Sequence, residues 1–132
     1  MITEIIWGQP IGKANNYQAV PDGMGGKRII KNERIRAYER SFNDQCKIYR
    51  NKGISRPFRL HITVYERSNA YDLDNCLKTV LDCLQYAGAI ANDNLCVGIS
   101  ATKKLDREHP RIEYGIEELE PTLFWVWKRK KS

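Results

Sequence analysis

The stretch YDLDNCLKTVLDCLQYAGAIANDN, Tyr71 to Asn94, decides how the rest of the chain is read. Its apolar residues Leu73, Leu77, Val80, Leu84 and Ala87 recur at steps of 4, 3, 4 and 3. That spacing predicts a helix with one buried stripe, opening near Asp72 or Asp74 and stopping at Gly88. Just upstream, Phe58 to Arg67 alternates apolar and polar residues, which predicts a half-buried strand with Phe58, Leu60, Ile62 and Val64 pointing one way. Ser68 to Tyr71 forms the turn between them. Downstream, Leu95 to Lys103 and Arg111 to Glu118 read as strands, with Asp106 to Pro110 expected to close a hairpin between them. Toward the N-terminus, Asn32 can cap a helix running to about Arg50, with Ile35, Tyr38, Phe42, Cys46 and Tyr49 as its apolar stripe. Thr3 to Gly8 reads as a first strand, and Gln9 to Lys27 as a long loop that is either functional or simply a surface loop. The order β, α, β, α, β, β predicts an α+β domain: a small mixed sheet with two helices on one face. Residues 1–120 form that domain, and 121–132 an aromatic and basic tail.

At 132 residues and 15.4 kDa the chain holds one core rather than two. Hydrophobic residues make up 42%, enough to exclude disorder of the whole, and no apolar run approaches the roughly 20 residues that span a bilayer. MITEIIWGQP does not read as a signal peptide. The expectation is a cytoplasmic protein whose four cysteines, Cys46, Cys76, Cys83 and Cys96, are reduced. None of them has the spacing of a zinc site. The net charge is +6, and Lys128 to Lys131 carry four of those positive charges. Such a balance suits a polyanion, or else a solubilising tail. On the first helix Arg36, Arg40, Lys47 and Arg50 fall on one flank, roughly 130° from the apolar stripe. That flank is either a phosphate-binding face or a solvated one.

The chemistry lies in the acids. Asp72 and Asp74 flank Leu73, while Asp74, Lys78 and Asp82 share a helix face opposite the leucines, and Asp93 follows in the next loop. One aspartate suffices to cap a helix; a second beside it adds repulsion that a cation would relieve. Hard oxygen donors suit Mg²⁺ or Mn²⁺. The alternative is an ordinary helix, with Asp74 neutralised by Lys78 one turn on. An EF-hand is excluded, because its glycine and final glutamate positions, counted from Asp72, are Leu77 and Cys83. A Walker loop is absent. A helix of this length does not by itself return Asp93 to Asp72; the surrounding fold must do so.

Asp72-Leu73-Asp74-Asn75, Lys78, Asp82, Tyr86-Ala87-Gly88 and Asn92-Asp93 resemble, interval by interval, the signature of the RusA family of Holliday junction resolvases. Asn16 after Pro10 looks like that family's early asparagine, and Arg28 to Lys31 like its basic segment. The resemblance covers roughly residues 4–118. It departs at Asn92, where the family usually has an acid. It implies a structure-selective endonuclease that resolves four-way DNA junctions by paired phosphodiester hydrolysis. Asp72, Asp74 and Asp93 would hold Mg²⁺ and Lys78 would assist, in a homodimer with no organic cofactor and no membrane partner. Lys13, Asn16, Arg28, Lys31, Arg36, Arg40 and Lys47 would contact the branched DNA. Two other readings stay open: a branched-DNA-binding module with impaired catalysis, and a phage structural or interaction protein whose Trp125/Trp127 tail anchors a partner.

Overall fold

The computed structural model describes residues 1–12 and 17–121, with the side chains of residues 17 and 18 excepted. Strand β4 (Phe58–Glu66) is the centre of the fold. Its alternation is the one the sequence predicts: Phe58, Leu60, Ile62, Val64 and Glu66 point into the core, and the residues between them are more exposed. Both of its edges are paired, antiparallel to β6 (Arg111–Glu118) and parallel to β5 (Cys96–Leu105). Strand β1 (Glu4–Trp7) pairs antiparallel with β6 and completes a mixed four-stranded sheet, order β1-β6-β4-β5. The α+β expectation therefore holds, but the expected hairpin does not. Strands β5 and β6 lie on opposite sides of β4, so Asp106 to Pro110 bridges across the end of that strand; the Asp106 N–H donates to the Glu66 carbonyl at 2.8 Å.

The two helices supply the other layer of the core. Helix α1 (Glu33–Gln45) is capped by Asn32, whose side chain accepts from the Ile35 N–H, and it buries Ile35, Tyr38 and Phe42. It ends before Arg50. The carboxylate of Glu4, buried on β1, accepts the N–H groups of Lys47 and Ile48 at 2.8 and 2.7 Å and the Tyr114 hydroxyl at 2.7 Å. These bonds pull the chain out of the helix toward the sheet, so Lys47 and Arg50 leave the basic flank that a longer helix would have given them. Helix α2 (Leu73–Tyr86) is the crossover between parallel β4 and β5. Its most buried face is Cys76, Thr79, Val80, Cys83 and Leu84, while Leu73 and Leu77 sit at the margin. The predicted stripe is thus rotated by part of a turn, because the small cysteines approach the sheet more closely than leucines would.

The long N-terminal loop contains a hairpin, β2 (Tyr17–Pro21) and β3 (Lys27–Lys31). Asp22 closes it by accepting from the N–H groups of Met24 and Gly26, with Gly23 and Gly25 in the left-handed region that glycine allows. Lys13, Asn16 and the tail from 122 onward lie outside the described residues.

Glu4 gives a direct test of the packing. Replacing it with alanine orphans two backbone donors and a buried hydroxyl. We expect E4A to lose about 3 kcal/mol of stability and E4Q less, read from urea unfolding midpoints.

Candidate active site

The C-terminal end of β4 and the N-terminal end of α2 build one wall of the site. Asp72 is the N-cap residue of α2, in extended conformation, yet its carboxylate makes no capping hydrogen bond. That is unusual for an aspartate in this position, since capping is its ordinary use. Asp74, in the first turn, is exposed, as is Lys78 one turn later, and neither makes a salt bridge among the described residues. The ordinary helix pair expected as the alternative is therefore not formed. Both carboxylates and the ammonium group face solvent, available to a ligand.

A cavity of about 130 Å³ opens beside Asp72. Its walls include Gly12, Arg34, Glu66, Asp72 and Asn75. Gly12 lies so close to α2 that a Cβ there would stand 3.1 Å from the Asn75 Cβ. This close approach brings the segment after β1 over the start of α2. Glu66 is fully buried. One of its oxygens, Oε2, accepts from the Gln9 side-chain amide, whose own oxygen accepts the Arg67 N–H at 2.9 Å. The other, Oε1, has no hydrogen-bond partner. Burial pushes the Glu66 carboxyl above the usual range, opposed by the Gln9 hydrogen bond and by the charge of Lys103. Lys103, on β5, donates to the Tyr71 carbonyl at 3.0 Å and so stands beside the same helix start.

Asp93 is elsewhere. It opens a short 3₁₀ turn, Asp93–Leu95, and its N–H donates to the Gln85 side chain at 2.9 Å, near the C-terminal end of α2. Asp74 and Gln85 are eleven residues apart on that helix, about 16 Å along its axis. Strand β4, about 26 Å long, separates the same two ends. Within one chain the three aspartates expected to share a cation do not meet, and no group of three or more His, Cys, Asp or Glu side chains among the described residues could hold a metal ion. The departure at Asn92 has a local role: its side chain caps the 3₁₀ turn by accepting the Asn94 N–H at 2.9 Å.

The expected DNA contacts divide. Arg28 is exposed on β3 and Arg36 on α1, and Arg36 makes no salt bridge among the described residues. Arg40 pairs with Glu33 at 2.6 Å, both largely exposed, a surface pair of small worth that a phosphate can displace. Lys31 pairs with the more buried Glu39 at 2.6 Å. Lys47 is exposed beyond the end of α1. Residues the sequence reading missed are Glu66, Arg34 and Lys103, while Asn75 entered it only as part of the motif. A signal for Glu66 was present: the period-two alternation of β4 places it in the core-facing row, six residues before Asp72. A larger hollow, about 500 Å³, lies on the uncovered face of the sheet among Thr63, Ser100 and Thr102, away from the aspartates.

The cysteines behave as small apolar residues. Cys46, Cys76 and Cys83 are buried, and burial pushes the Cys76 thiol up to about 12 and Cys83 higher still.

The profile of the endodeoxyribonuclease RusA family matches residues 8–117. The crossover junction endodeoxyribonuclease RusA of Aquifex aeolicus is 29% identical to this chain over 100 residues, which is 74% of this chain and 76% of that protein.

Thiol chemistry should follow the burial. At pH 8, alkylation of the folded protein is expected to reach the partly exposed Cys96 first and to spare Cys76 and Cys83 until denaturant is added, as mass spectrometry of the labelled peptides would read out.

Proposed function

The chain belongs to the RusA family of endodeoxyribonucleases, and on that premise we propose that it resolves four-way DNA junctions with a divalent cation, Mg²⁺ or Mn²⁺ in its place, held at the start of α2. The observation that carries this reading is the idle state of Asp72 and Asp74. Two carboxylates stand together at a helix N-terminus, one of them in the N-cap position, and neither caps the helix nor pairs with Lys78. Such donors fit a hard cation that prefers oxygen ligands. When bound there, a divalent cation supplies Lewis-acid polarisation of the phosphate and a more acidic water.

The chain's own residues do the rest. Lys78, unpaired and one turn along from Asp74, is placed to hold the charge that develops on the phosphate. Arg34 at the cavity rim offers a second cation to a phosphate oxygen. It presents a planar fork, where lysine offers a point charge. Arg28, Arg36, Arg40 and Lys47 offer positive charge along the DNA without reading sequence, the mode expected of a protein that recognises branched shape.

The separation of Asp93 supports a homodimer as the working form. We propose that Asp93 serves the site of the second copy. Two-fold symmetry then creates two equivalent sites from two incomplete halves, as paired cuts in a four-way junction need.

Three outcomes test these assignments. D74N is expected to lose at least a hundredfold in junction cutting with Mg²⁺ while still binding the junction; unchanged cutting would remove the acid pair from the chemistry. Binding itself should weaken steeply between 50 and 200 mM salt, measured by gel shift. D74N and D93N, each inactive alone, should regain nicking when refolded together, because one of the two shared sites in the mixed dimer is then intact. If mixing restores nothing, each site is built within a single chain.

A further inference from the structure

Glu66 holds a place in the fold that the fold does not use. It continues the inward row Phe58, Leu60, Ile62 and Val64, where an apolar residue would bury without cost. The other glutamate buried in this domain, Glu4, satisfies both of its oxygens with donors from three residues. Glu66 satisfies one. The Gln9 amide that serves Oε2 is held by its own bonds to the Arg67 N–H and the Pro10 carbonyl, so it cannot turn to serve Oε1 as well. A buried carboxylate oxygen left without a donor needs a reason, and a bound ion is one. A proton on Oε1 would not remove the difficulty, because it would place an unpartnered donor in the same spot.

The cavity that Glu66 lines supplies that reason. It holds Asp72 on its rim and Asn75 beside it, both oxygen-bearing side chains. Its volume, about 130 Å³, equals roughly four waters at their liquid volume. A small divalent cation that keeps part of its hydration shell fits such a space. Arg34 on the wall and Lys103 nearby are the positive groups of this neighbourhood. They balance two carboxylates while leaving room for the charge of a cation and a phosphate together.

We infer that Glu66 is a ligand of the divalent cation, offering Oε1 from the buried wall while Asp72 offers its carboxylate from the open side. This rests on the nuclease reading above and pairs Asp72 with a donor from the end of β4, two carboxylates rather than a cluster of three, the other positions of the cation falling to Asn75, water and phosphate. The Tyr38 hydroxyl, the other buried polar atom without a partner, feels the charge of Glu66 but makes no hydrogen bond to it, so Oε1 is left without a donor from that side too.

The test is a Mn²⁺ titration of the full chain, with free Mn²⁺ followed by electron paramagnetic resonance, with and without a four-way junction. Circular dichroism confirms that each variant is folded. E66Q is expected to bind Mn²⁺ at least tenfold more weakly than wild type, and D72N likewise. E66D, which keeps the charge but withdraws the oxygen by one methylene, should fall between. Should E66Q fail to fold, E66D decides, and wild-type affinity in it overturns the inference. If E66Q binds Mn²⁺ as tightly as wild type while D72N does not, Glu66 is no ligand and the nuclease reading stands. If the wild-type chain binds no Mn²⁺ in either condition and cuts no junction, both fall.

Discussion

The parallel pairing of β4 with β5 is the constraint from which the rest of this structure follows. An antiparallel neighbour can be reached by a tight turn, but a parallel one requires the chain to travel back the full length of the strand before pairing again. Here α2 makes that return. Its N-terminus must therefore stand near the end of β4, and its C-terminus near the beginning. Asp72 is thereby placed at the cavity that Glu66 lines, with Asp74 in the first turn behind it, while Asp93, just before β5 starts, is placed at the far end. In α/β sheets ligands gather beyond the carboxyl ends of parallel strands. One parallel pair in an otherwise antiparallel sheet is enough to create such an end here, and the acids and the cavity are found at it.

Two buried glutamates show how the same side chain serves opposite purposes. Glu4 gathers β1, β6 and the exit of α1 around one carboxylate. Burying a charge is costly, and the hydrogen bonds from Tyr114, Lys47 and Ile48 offset that cost. Glu66 lies two strands away, across β6, with a single partner and a raised carboxyl pKa. A group whose folded pKa is raised favours folding only in its protonated form. That contribution is full below the ordinary glutamate value and is lost as pH rises through the folded one. Once ionised, Glu66 no longer adds to the stability of the fold. Natural proteins tend to depart from good packing where a site needs it.

Much of the domain was legible because its signals are local. The alternation of β4, the presence of α2 and the glycine after it, and the bounds of β6 follow from side-chain spacing alone, while the buried face of α2 lies part of a turn from the predicted stripe because Cys76, Thr79 and Cys83 carry it. The hairpin β2/β3 was not legible, since Pro21 and the run Asp22 to Gly26 read as breakers when they in fact form the turn. The end of α1 was misplaced for a different reason. Cys46 and Tyr49 continue the helical spacing and are buried, but the backbone that carries them is captured by Glu4, more than forty residues away in sequence. The β5/β6 hairpin failed similarly: no local pattern reports that β4 intervenes. Of the site, the motif acids and Lys78 were legible from their intervals, whereas Glu66, Arg34 and Lys103 are brought to α2 only by the sheet.

The charge arrangement at the start of α2 carries one more step. Asp72 and Asp74 are exposed and unpaired, so a phosphodiester approaching them meets like charge. Lys78 and Arg34 lie close, but the two cations only balance the two exposed aspartates, leaving Glu66 uncompensated except for the influence of Lys103. The neighbourhood is thus near neutral without a cation and attracts a phosphate only weakly. With a divalent cation present it becomes net positive. Cation and DNA would each then favour the binding of the other, a reciprocal coupling that linkage requires. The more distant arginines, Arg28 and Arg36, would supply affinity for the DNA backbone in either state. On the proposed reading, such a protein would hold a junction without cutting it and become competent to cut only when both partners occupy the same end of β4.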